Sequence, residues 1–115
     1  MVSSKNLLSV ESESLLAQLG KNIDLARKRR RLKIAQVCER AGISQQTYQR
    51  LKKGDPGVSL GALTNVLSAL DLEGALLGLA DPHQDEYGAA LEKANAPRRV
   101  RDRGGDDDTE LDADW

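Results

Sequence analysis

Phenylalanine is absent from this 115-residue chain, and one Trp and two Tyr make up its whole aromatic content. A core must therefore be assembled from Leu, Ile, Val and Ala. Strand-like runs of alternating β-branched residues are missing as well, and Pro occurs only at positions 56, 82 and 97, so an all-helical fold is expected. The single cysteine, Cys38, excludes an intrachain disulfide framework, and the single histidine, His83, has no second Cys near it to complete a zinc site. Cys38 lies four residues before Gly42, where closely crossed helices leave room for a small side chain, and it reads as core rather than as a redox centre. His83 stands beside Pro82 without a Ser or Cys nucleophile arranged around it, and no glycine-rich phosphate loop follows a strand. An enzyme is thus the least supported class, and no cofactor is expected. Asp81, Asp85 and Glu86 are grouped in sequence as metal ligands can be, but three acids in a polar linker are ordinarily just solvated. No apolar run approaches the roughly 20 residues a membrane span needs, and the N-terminus lacks a basic region followed by a long apolar stretch. A cytoplasmic protein without a membrane partner is expected.

The near-zero net charge of -1 hides a separation. Residues 20–54 hold eleven Lys/Arg against two acids, whereas residues 55–115 hold five against fourteen. One basic segment on an otherwise acidic chain suits the binding of a polyanion.

Within the basic segment, residues 34–53 read IAQVCERAGISQQTYQRLKK, two helix-period segments joined by Ala41-Gly42-Ile43-Ser44. Val37, Cys38 and Ala41 fall on one apolar face of the first segment. Gly42 can enter the left-handed region and end that helix, and Ser44 can cap the next one through its hydroxyl. Tyr48 and Leu51 are the only large apolar residues of the second segment, so they face inward. Gln45, Gln46, Gln49, Arg50 and Lys53 are thereby turned outward. Amides and cations on an exposed helix are the chemistry that reads base edges, since Gln can pair bidentately with adenine and Arg with guanine. A polar solvated face of an ordinary helical hairpin is the competing reading, and it accounts less well for the turn glycine and the absence of acids from the second segment.

Around this motif the chain divides as follows. Residues 1–11, small and polar apart from Leu7, Leu8 and Val10, are expected to be a flexible arm, and residues 12–80 a compact five-helix domain. A first helix from about Ser14 to Arg30 would bury Leu15, Leu19, Ile23 and Ala26, ending in the cations Arg27 to Arg31. Gly54-Asp55-Pro56-Gly57 is a turn by composition. Ser59 then caps a fourth helix with Leu60, Leu63, Leu67 and Leu70 on one face, and a fifth helix is expected over about Leu72 to Leu79. Residues 81–103 form a linker with a short amphipathic helix between Gln84 and Ala94 and a basic cluster after it. Residues 104–115 hold six acids, no base and a terminal Trp115, a composition that leaves them disordered.

Leu19-Gly20, Ile23, Arg27, AGISQQTYQRLKKG and DPGVSLGALTNVLSALDL together resemble the Xre/Cro-type helix-turn-helix repressors, the lambda-repressor-like fold, over roughly residues 15–80. Within that family GDPGVSLGALTNVL, followed by ADPHQDEYGAALE and a basic cluster, looks most like the HipB-type antitoxins. The resemblance implies a repressor of its own operon that binds double-stranded operator DNA and pairs with a HipA-like Ser/Thr kinase toxin. The alternative is a stand-alone Xre-family regulator without a toxin partner. It also implies that Gln45, Gln46, Gln49 and Arg50 read bases, while Arg27, Lys33, Ser44, Lys52 and Lys53 meet the DNA backbone. Two positions depart from the pattern: Ile34 stands where many relatives have Gln, and Lys52 where many have Glu.

A single recognition helix reads one half-site, so a homodimer is expected, with its surface on the fourth and fifth helices. Trp115 is a candidate partner-binding residue, because Trp is enriched among interface anchors. The acidic tail is also able to fold back on the basic segment and compete with DNA.

Overall fold

The computed structural model describes residues 8–96, and every regular element among them is helical. They fall into two units, divided between Leu77 and Gly78. The first holds four α-helices, α1 (Val10–Arg29), α2 (Ile34–Ala41), α3 (Gln45–Lys53) and α4 (Leu60–Ala69), and its boundary falls at the last residue of a 3-10 helix over Glu73–Gly78. The expected arm at residues 1–7 and the basic cluster and tail at residues 97–115 lie outside the described residues.

The first helix starts earlier than its apolar spacing suggests. Ser9 caps it by accepting the Ser12 N–H at 3.0 Å, and Glu11 and Glu13 in the first turn complement the positive end of the helix dipole. Val10 and Glu11, expected in the arm, are therefore helical. The buried stripe also differs from expectation, since Leu15 is 70% exposed. Gly20 decides the rotation of α1: it is buried, and a Cβ there would strike the carbonyls of Leu51 and Lys52 on α3. With Gly20 against α3, the inward side runs through Leu16, Leu19, Ile23 and Arg27, and Leu15 is carried to solvent.

The core is aliphatic with one aromatic ring. Ile23, Val37, Cys38, Ala41, Tyr48, Leu51, Val66, Leu67 and Leu70 are buried together, with α1 packed on α3 and α2 packed on α4. Ser59 caps α4 by accepting the Ala62 N–H at 3.0 Å, as the sequence predicts. Leu60 lies at the first position of α4 and is 78% exposed, so the apolar face of this helix begins at Leu63. The expected fifth helix is only the 3-10 segment. Leu72 and Leu76 pack on the core, whereas Leu77 stays 83% exposed.

The second unit, taken by itself, contains a short 3-10 helix at Pro82–Gln84 and α5 (Glu86–Ala94). Asp85 caps α5 by accepting the Gly88 N–H at 2.9 Å. The predicted amphipathic helix is present, with Tyr87 and Leu91 both on its exposed surface.

Candidate nucleic-acid interface

The turn between α2 and α3 is built from local chemistry. Gly42 takes φ 69° and ψ 34°, and the N–H of Ile43 reaches back to the Cys38 carbonyl at 3.1 Å. Ser44 then starts α3, its Oγ accepting the Thr47 N–H at 3.0 Å and pairing with the Thr47 hydroxyl at the same distance. Cys38 packs beneath, with Sγ 3.7 Å from the Ser44 carbonyl. Burial pushes its thiol up, which keeps it in the neutral form a core requires.

Tyr48 and Leu51 point into the core as expected, and α3 presents the opposite side to solvent. Gln46, Gln49, Arg50 and Lys53 recur at i, i+3, i+4 and i+7 along that side, and all are exposed. Gln45, at the first helical position, is exposed on its flank. Among the described residues, none forms a side-chain hydrogen bond with Gln45, Gln46 or Gln49.

Under this surface lies a polar cluster that composition and periodicity did not reveal. Asp24 of α1 is 4% exposed, and its Oδ1 accepts the Tyr48 hydroxyl at 2.6 Å and the Arg27 Nε–H at 3.0 Å. Its Oδ2 faces Lys28 Nζ at 3.5 Å and Lys52 Nζ at 3.7 Å. Burial by itself would raise the Asp24 carboxyl, but the hydrogen bonds from Tyr48 and Arg27 and the charges of Arg27 and Lys52 outweigh it and hold the group at about 2. Burial and donation to Asp24 push the Tyr48 phenol up to about 12. The only signal in the sequence was an acid three and four residues before Arg27 and Lys28 on one helix, a common surface pairing.

The cluster gives Arg27 a structural part beside the expected contact with the DNA backbone. Its side chain is only 12% exposed, and its N–H groups are directed to Asp24, to the Tyr48 oxygen at 3.2 Å and to the Leu32 carbonyl at 2.7 Å. Through Nε and Nη1, Arg27 fastens α1 to α3 and to the segment before α2. The other expected backbone contacts divide. Lys33 is exposed at the start of α2, where Gln36 Oε1 accepts its backbone N–H at 2.8 Å, and Lys53 is exposed at the end of α3. Lys52 is half-exposed beside Asp24, and the Ser44 hydroxyl is engaged in capping. Ile34 packs against the core edge, which accounts for an apolar residue at that position.

Arg50 is held by a neighbour. Its Nε–H donates to Asp55 Oδ2 at 2.8 Å, and Asp55 Oδ1 accepts the Gly57 N–H at 2.7 Å.

A helix with one buried face, a left-handed glycine turn and a second helix with an exposed amide and cation face define a helix-turn-helix domain. The chain belongs to that family: the family model described as a helix-turn-helix domain matches residues 18–80, more than half of its length. Membership points to a DNA-binding regulator. No curated protein matches the chain closely enough to count as a relative. Among the described residues no helix is long and apolar enough to cross a membrane, and no group of three or more His, Cys, Asp or Glu is placed to hold a metal.

Proposed function

We propose that this chain is a sequence-specific transcriptional repressor that binds its operator as a homodimer. The observation that carries the reading is the outer face of α3, where Gln46, Gln49, Arg50 and Lys53 form one exposed stripe with Gln45 beside it. The amides supply base recognition, Arg50 adds a bidentate donor, and Lys33, Lys52 and Lys53 supply attraction to phosphates. Arg27 acts through the placement of α3. Binding of a duplex carrying the promoter of its own gene, compared with a scrambled duplex of equal length, tests the reading. Gln46→Ala is expected to cost about 1–3 kcal/mol on the promoter duplex alone. Equal weakening on both duplexes overturns the base-reading role.

Dimerisation is supported by Leu60 and Leu77, two large apolar side chains that the first unit leaves outside its core. Leu77→Glu is expected to shift the sedimentation of the protein toward monomer and to weaken operator binding with it. Unchanged sedimentation removes this surface from the interface.

The HipB-type branch is the finer assignment, resting on the GDPGVSLGALTNVL phrase, and with it comes a HipA-like kinase toxin as partner. Co-purification with the product of an adjacent kinase-like gene tests it, and deletion of residues 104–115, with Trp115, asks whether the tail contributes. An unrelated neighbouring gene and no co-purifying kinase favour the stand-alone regulator.

A further inference from the structure

The geometry points to Asp55 as a positioning residue that sets the sequence preference of Arg50, an inference that rests on base reading by α3. A free arginine side chain samples many rotamers and can donate to a base or a phosphate with little penalty for either. Arg50 is not free in this sense. The Asp55 carboxylate takes its Nε–H at 2.8 Å, at a half-exposed position beside the end of the recognition helix. With that edge used, the two terminal nitrogens are the donors left for DNA, and they form the fork that matches guanine O6 and N7.

Asp55 is itself fixed from the other side. Its second oxygen accepts the Gly57 N–H at 2.7 Å, so the turn that follows α3 determines where the carboxylate sits. Gly57 also provides clearance. A Cβ at that position would come within 2.8 Å of Arg50 Nη2 and 3.2 Å of Asp55 Oδ1, so any other residue there would displace the guanidinium. Two residues beyond the recognition helix thus act on one in its exposed stripe: the turn holds Asp55, Asp55 holds Arg50, and Gly57 leaves the space. An acid beside the DNA surface reduces general attraction to phosphates, and the return for that loss is discrimination at one base pair.

Two substitutions separate this role from a merely structural one. Asp55→Asn retains an oxygen for the Gly57 N–H but turns an amide N–H toward Arg50 Nε, a donor facing a donor, so the turn survives and the clamp does not. Gly57→Ala leaves every charge in place and crowds the clamp itself, the guanidinium most and the Asp55 carboxylate by less. The experiment is selection from a randomised duplex library with full-length protein, run for wild type, Arg50→Ala, Asp55→Asn and Gly57→Ala, with thermal melting of each. Wild type is expected to enrich a motif containing one guanine whose preference disappears in Arg50→Ala. Asp55→Asn and Gly57→Ala are expected to lose roughly tenfold in preference at that base pair alone, while binding to a scrambled duplex is unchanged or, for Asp55→Asn, stronger. Retention of the guanine preference in both variants overturns the role of Asp55, as does an Arg50→Ala motif identical to that of wild type. Failure of the wild type to enrich any motif overturns base reading by α3 itself.

Discussion

At the scale of single residues, Asp24 ties the protein together across two helices. Removing its carboxylate leaves the Arg27 guanidinium and the Tyr48 hydroxyl without their shared partner in a nearly dry site. Asp24→Ala is therefore expected to destabilise the fold by about 3 kcal/mol, read by denaturant melting. The pH dependence follows from the same cluster. The carboxyl is lowered from 3.8 to about 2 in the folded protein, so its contribution is complete above about pH 4 and is lost as pH falls toward 2. The shift corresponds to about 2 kcal/mol. The Tyr48 phenol is raised from 10 to about 12, so its contribution is complete below about pH 10 and is lost as pH rises toward 12. Asp24→Asn should remove the acid limb and shrink the alkaline one, because donation to the carboxylate is part of what raises the phenol, and Tyr48→Phe should remove the alkaline limb and shrink the acid one. Neither residue announced itself in the sequence as a pair, because they stand 24 positions apart. Only the inward direction of Tyr48 was legible, from its place with Leu51 as the large apolar residues of α3.

At the scale of elements, what was local in the chain was readable and what depended on a crossing was not. The α2 to α3 turn needs only Gly42, Ser44 and the apolar spacing around them, and all three carry their roles within a few residues. The rotation of α1 depends instead on Gly20 meeting the α3 carbonyls, a constraint from residues some thirty positions later, and a leucine count placed Leu15 in the core instead. Gly20→Ala is expected to force α1 off α3 and lower stability by about 1–3 kcal/mol. The opposite sign is expected where α1 ends. Arg31 holds φ 55° so that its own N–H and that of Leu32 can cap the helix, a conformation glycine adopts without strain. Arg31→Gly should raise the melting temperature, by the equivalent of about 0.5–1 kcal/mol. The shortness of the segment after α4 was likewise hidden, since the leucine spacing of residues 72–79 fits an α-helix, whereas the segment is a 3-10 helix over Glu73–Gly78 and only Leu76 within it and Leu72 just before it are partly buried against the core.

At the scale of the whole molecule, charge separation governs how the chain meets DNA. Eleven cations against two acids in residues 20–54 supply a salt-dependent attraction, and Lys53→Ala is expected to reduce the slope of log affinity against log salt by about 1 on any duplex. Deletion of residues 104–115, with their six acids, should tighten binding at low salt if the tail competes for the same surface, and unchanged affinity there removes that competition. The helix-turn-helix family and the exposed face of α3 were visible in twenty consecutive residues, whereas the exposure of Leu77, on which the proposed dimer surface rests, only packing reveals. Central to all of this is the claim that the α3 amides meet base edges. The most direct measurement is the 15N-resolved side-chain NH2 signals of Gln46 and Gln49 during titration with promoter duplex and with a scrambled duplex of the same length. Both signals should move to distinct bound positions with the promoter duplex and shift little with the scrambled one. Identical shifts with the two duplexes, or none with either at saturation, would contradict it.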